Sequence, residues 1–102
     1  MSQIHPSSII DPNAKIGKDV KIGPYCIVGA NVEIGDGCVL HSHVVIDGHT
    51  TIGQNNQFFH FCSIGAAPQD NSYNGEPTKT VIGDGNTFRE GVTVHRATTK
   101  EN

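Results

Sequence analysis

The chain has 102 residues, the length of one small domain, and ten Asp and Glu against seven Lys and Arg give a net charge of −3. That balance excludes the clustered basic face of a nucleic-acid binder, and no apolar stretch approaches the ~20 residues of a membrane span. With 35% hydrophobic residues, four Phe, two Tyr and no Trp, any core must be thin.

Taken from the N-terminus, Met1 to Pro6 shows neither the basic nor the apolar region of a secretory signal, which points to the cytoplasm. A repeat begins at once. Ile4, Ile10, Ile16, Ile22, Val28, Ile34, Leu40, Ile46, Ile52, Phe58 and Ile64 are eleven apolar residues spaced by six. At this composition chance gives such a run roughly once in 10⁵ for any one phase. The phase returns at Ile82, Phe88 and Val94, and Gly follows seven of the fourteen leads, at Gly17, Gly23, Gly29, Gly35, Gly53, Gly65 and Gly83. Such a site suits a bend with positive φ or a close backbone approach. Two residues before the leads stand small or β-branched residues: Ser8, Ala14, Val20, Cys26, Val32, Cys38, Val44, Thr50 and Cys62.

Positions two apart share one face of a strand. Each hexad therefore reads as a short strand with two inward residues and a turn. Period six does not fit the 3.6 of an amphipathic helix. It fits an all-β parallel β-helix, with one hexad per side of a triangular coil and eighteen residues per turn. One single-domain solenoid over 1–102 follows, with regular coils over 4–65. The cysteines Cys26, Cys38 and Cys62 fall on the inward site, where a free thiol acts as a compact hydrophobe. Their odd number and the absence of a CxxC pair argue against disulfides or a zinc knuckle.

The residue just before each lead points outward. Ile9, Ile27 and Val45, with Ser63 and then Val81, form one mostly apolar column, whereas Lys15, Glu33, Thr51 and Lys21, Val39, Gln57 are mostly polar. An aligned apolar column on an outer face implies a subunit interface, and a threefold ring is the natural closure for a triangular prism.

The rhythm fails once, over 66–81, a polar stretch punctuated by Pro68, Gly75 and Pro77. It is either one irregular coil or a projecting loop, and an interruption of a regular scaffold is where function concentrates. Within it, Gln69 and Asp70 set an amide beside a carboxylate, a pair suited to sugar hydroxyls. Coils resume over 82–99 with Ile82, Phe88 and Val94 as leads. His5, His41 and His95 each follow a lead at separations that are multiples of eighteen, so they share one edge if the loop preserves phase. His95 stands close in sequence to Arg89 and Arg96, the only two arginines, and guanidinium is the group for bidentate phosphate recognition. His43, His49 and His60 have no distinguishing context. No recognised metal-ligand spacing occurs.

The hexads resemble those of the hexapeptide-repeat acyltransferases, a family of left-handed parallel β-helices that assemble as trimers. The second half is more specific. Ser63-Ile64-Gly65, Pro68-Gln69-Asp70, Tyr73, Gly75-Glu76-Pro77-Thr78, Asn86, Arg89-Glu90 and Val94-His95-Arg96 resemble the UDP-N-acetylglucosamine 3-O-acyltransferases of lipid A synthesis. The resemblance implies transfer of an R-3-hydroxyacyl group from acyl carrier protein to the 3-hydroxyl of UDP-N-acetylglucosamine, without metal or cofactor. It gives substrate contacts to Gln69, Asp70 and Arg96 and a supporting place in an intersubunit cleft to His95. It also implies that the family's general-base His, its further coils and its C-terminal helical domain lie beyond Asn102. At Ser72 many relatives carry a basic residue. Two other functions share this fold: a zinc carbonic anhydrase, and a non-catalytic trimerising or sugar-nucleotide-binding module.

Overall fold

A hexad gives its strand only two inward side chains, so no strand buries a core alone and the coils must close on one another. In the computed structural model, which describes residues 2–66 and 79–95, they form a left-handed parallel β-helix with three flat faces. Face 1 stacks β1 (Gln3–Ile4), β4 (Lys21–Ile22), β7 (Val39–Leu40), β10 (Gln57–Phe58) and β13 (Thr87–Phe88). Face 2 stacks β2 (Ile9–Ile10), β5 (Ile27–Val28), β8 (Val45–Ile46), β11 (Ser63–Ala66) and β14 (Thr93–His95). Face 3 holds β3 (Lys15–Ile16), β6 (Val32–Ile34), β9 (His49–Ile52) and β12 (Lys79–Ile82). The usual right-handed crossover arises where a helix packs back onto its sheet. Here the regular corners are only two to four residues long, so that preference has no purchase.

The core is the inside of the prism. From Ile22 to Ile64 every lead is at most 3% exposed, and the second inward column from Val20 to Cys62 is equally closed. Burying each of these aliphatic side chains is worth about 1.5–3 kcal/mol. All three cysteines lie here as free thiols. Cys38 Sγ and Cys62 Sγ each donate to a corner carbonyl of the coil above, Gly53 O and Arg89 O, both at 3.1 Å. Burial pushes all three thiols above the ordinary thiol pKa, against the smaller pull of backbone hydrogen bonds.

One member of that inner column escaped the sequence pattern. Asn56 is fully buried; its Nδ2 donates to Gly83 O and its Oδ1 accepts from Asn86 N, both at 2.7 Å. A buried amide is tolerable only when both ends are satisfied in this way. At the edge between faces 3 and 1, carboxylates also staple successive coils. Asp36 Oδ1 accepts from Lys18 N at 2.8 Å, and Asp84 Oδ1 accepts from Gln54 N at 2.7 Å.

Gly17, Gly23, Gly29, Gly35 and Gly53, each just after a lead, answer to close approach rather than to φ. A Cβ on Gly23 would run into the carbonyl oxygen of His41 in the next coil. The left-handed residue sits three places after the lead instead: Asp19, Gly37, Asn55 and Gly85 on one edge, Tyr25, His43, Phe61 and Gly91 on another, with φ between 51° and 76°.

The interrupted segment does not preserve coil phase. Ile82 pairs with Ile52, thirty residues back, as Phe88 does with Phe58 and Val94 with Ile64, where leads paired below the insertion are eighteen apart. The segment is therefore a twelve-residue insertion at one corner, and β12 is simply the next side of the coil. Strand β12 also starts at Lys79, earlier than the boundary at 82. Two expectations change as a result. Val81 pairs with Thr51 on face 3, and Thr93 takes the place above Ser63 in the column of Ile9, Ile27 and Val45. His5 and His41 follow face 1 leads, whereas His95 ends a face 2 strand, so the three histidines do not share an edge.

Candidate active site

The twelve extra residues fall in sequence at the corner between faces 2 and 3, and the last described turn before them is set by one residue. Gly65 has φ 79°, in the left-handed region. A Cβ there would overlap both Asp47 O and Thr50 Oγ1 of the corner beneath, so a side chain is excluded twice. Those two atoms are themselves joined, since buried Thr50 Oγ1 donates to Asp47 O at 2.6 Å. The register of β11 against β14 shifts across Gly65: Ile64 lies opposite Val94, but Ala66 lies opposite His95. This is a β-bulge at the mouth of the insertion, the kind of irregularity that re-aims a strand next to a site.

Of the residues expected in the site, His95 is thus placed by its backbone beside Ala66, where the insertion begins. Gln69, Asp70, Ser72 and Arg96 lie outside the described residues. Lys79, which closes the insertion, pairs with His49. Both line a polar cleft of about 380 Å³ on face 3, together with Asn13, Lys15, Asn31, Glu33 and Thr51. The pairing of His49 with Lys79 was not legible in the sequence, because their adjacency depends on the twelve-residue jump.

The remaining histidines belong to a different edge, between faces 1 and 2. His41 stacks on Phe59 at 4.3 Å, and the Arg89 guanidinium lies 4.2 Å over the same Phe59 ring. Arg89 Nε is also 3.3 Å from Glu90, so this arginine stands apart from the insertion corner. Beside that stack, His43 lies between Tyr25 and Phe61 at ring distances of 5.2 and 5.1 Å. Ser42 Oγ joins the two rows, 2.7 Å from His60 Nδ1 and 3.3 Å from His43 Nδ1. Tyr25 is 61% and Phe61 66% exposed, large apolar surface that continues the outward column of Ile9 and Ile27. Among the described residues no three His, Cys, Asp or Glu are arranged to hold a metal ion. No helix among them is long and apolar enough to cross a membrane.

Comparison with known proteins agrees with this geometry. The bacterial transferase hexapeptide family (six repeats) matches residues 1–35 and 13–48. The acyl-[acyl-carrier-protein]–UDP-N-acetylglucosamine O-acyltransferase of Saccharophagus degradans is 54% identical over 101 residues, which is 99% of this chain and 39% of that protein. The structure of LpxA from Acinetobacter baumannii superposes with a TM-score of 0.93 at 54% identity, over 97% of this chain and 38% of the other. The UDP-N-acetylglucosamine O-acyltransferase (LpxA) of Moraxella catarrhalis gives 0.91 at 52% identity, over 95% and 38%. The chain thus spans about two-fifths of the length of the relatives it matches.

Proposed function

The chain belongs to the hexapeptide-repeat acyltransferases, and from that premise we propose that it contributes the insertion-bearing half of an acyl-transfer site. The donor is a 3-hydroxyacyl thioester of acyl carrier protein, and the acceptor is the 3-hydroxyl of UDP-N-acetylglucosamine. The sugar oxygen attacks the thioester carbonyl as a base removes its proton; the C–O bond forms, the C–S bond breaks, and the carrier's thiol leaves with a proton. Such a step needs a positioned base and donors for the developing oxyanion. Gln69 and Asp70 hold sugar and acyl groups, Arg96 faces the diphosphate, and His95 supports the cleft. The observation that carries this reading is the bulge at Gly65, which brings the His95 strand end against the start of the insertion.

In the proposed assembly three copies close around the apolar column of Ile9, Ile27 and Val45, flanked by Tyr25 and Phe61. Exposed aromatic and aliphatic side chains in one continuous strip support that closure. We place the protein in the cytoplasm, where three free thiols stay reduced.

The test combines turnover with binding. The chain is incubated with hydroxyacyl carrier protein and UDP-N-acetylglucosamine, and the acylated sugar nucleotide is sought by mass spectrometry. Product that is lost in His95→Ala supports a complete site. Binding of the sugar nucleotide without product, weakened in Asp70→Ala, supports substrate holding alone. Folded protein that does neither overturns the proposal.

A further inference from the structure

The inward column of face 3 runs Ala14, Val32, Thr50, Thr80, so hydroxyls stand only in the two coils that flank the insertion. Val would fill such a position at lower desolvation cost, because a buried hydroxyl must find a partner. Thr50 is 1% exposed and has found one, the carbonyl of Asp47 at 2.6 Å. That carbonyl and the Thr50 hydroxyl together form the wall against which the Cα of Gly65 rests. Gly65 in turn makes the register shift that sets Ala66 opposite His95. In the coil below, Val32 occupies the equivalent place with no insertion to launch.

We propose that Thr50 is a positioning residue for the acyl-transfer site: by pinning the Asp47 carbonyl it seats Gly65 and sets where the His95 strand end and the insertion meet. This rests on the reading of the site given above. Thr50 is enclosed in the core, so its influence passes through Gly65. Asp47 is exposed and its main-chain N–H already donates to Ile64 O at 2.9 Å, which leaves the carbonyl as the part that Thr50 controls.

The experiment has two readouts on Thr50→Val and Thr50→Ser. Amide hydrogen exchange, followed by NMR, should quicken at least tenfold at Ala66 and His95 in Thr50→Val. Exchange at Ile22 and Val28 should stay as in the wild type, and Thr50→Ser should restore the protection. Exchange unchanged at Ala66 and His95, or quickened evenly through all coils, overturns the proposal. Affinity for UDP-N-acetylglucosamine should fall at least tenfold in Thr50→Val and recover in Thr50→Ser. Unchanged affinity overturns the positioning role while leaving the site standing. A wild-type chain that binds no sugar nucleotide overturns the reading of the site, and the positioning role with it. Val already serves at position 32; if Thr50→Val nevertheless fails to fold, Thr50→Ala carries the same two readouts.

Discussion

Two edges of the same prism are built in opposite ways. Between faces 1 and 2 the corner repeats: Tyr25, His43 and Phe61 take nearly the same left-handed φ, and their rings meet from coil to coil at a 35° tilt. Between faces 2 and 3 nothing repeats for long. The corners there shorten at Gly48, bulge at Gly65 and then give way to twelve extra residues. Left-handed bulky residues cost roughly 1–2 kcal/mol each, so the regular edge carries strain at three places to keep an aromatic surface outward. The irregular edge instead places a glycine where its corner departs from the repeat. Repetition keeps an exposed aromatic surface, the proposed interface, and irregularity marks the corner of the proposed site.

Substitution should separate these roles, and the greatest effect belongs to the irregular edge. Gly65→Ala forces a Cβ into Asp47 O and Thr50 Oγ1 at positive φ and should cost about 3 kcal/mol in a denaturant titration. Gly83→Ala is its control. Nothing among the described residues lies within 4 Å of a Cβ there, and a change beyond about 0.5 kcal/mol would contradict the close-approach account.

Next comes the interior, which belongs to neither edge. Asn56→Ala leaves Gly83 O and Asn86 N without their buried partner and should cost about 2–3 kcal/mol. Equal stability would mean that water enters the prism.

On the regular edge, Phe61→Ser should leave the melting temperature near that of the wild type. It should weaken self-association by about 2 kcal/mol, some thirtyfold, as loss of an aromatic anchor does. Sedimentation of the wild type as a monomer at micromolar concentration would end the interface reading altogether.

The smallest effect is a slope with pH. Burial raises the pKa of Cys26, Cys38 and Cys62 above the ordinary value of 9.0. Below pH 9 the thiols are protonated in both folded and unfolded chains and their contribution is fully present. Above it the unfolded chain ionises first, so stability falls as pH rises toward the folded values. Thermal melts from pH 8 to 10 should show that decline, and replacing all three cysteines with Ala should flatten it.

The hexad period made the faces, the inward columns and the buried cysteines legible, because two inward residues per strand leave a mark at every sixth position. It could not show which face the chain rejoins after the insertion. Twelve residues are two whole hexads, so Ile82, Phe88 and Val94 stay in step with Ile64 in sequence while falling on different sides of the coil. Val81 and His95 were misplaced for that one reason. Asn56 left no trace, since its polarity is offset by Gly83 and Asn86, twenty-seven and thirty residues on. The aromatic edge went unseen because Tyr25, His43 and Phe61 sit between leads and share no residue type. The position of Thr50 was legible as a small inward residue, but the task of its hydroxyl was not.

The in-register stacking also makes the molecule a graduated rod. Strands in a sheet lie about 4.8 Å apart, and each coil from Ile4 to Ile64 repeats after eighteen residues. Excising one eighteen-residue block from the lower coils would bring every lead back to its own side, one notch lower. Features on the rod can therefore be brought closer in fixed increments, as parts slide along a toothed rack. A cut that is not a whole multiple of eighteen would turn the coils above it around the axis and face them the wrong way.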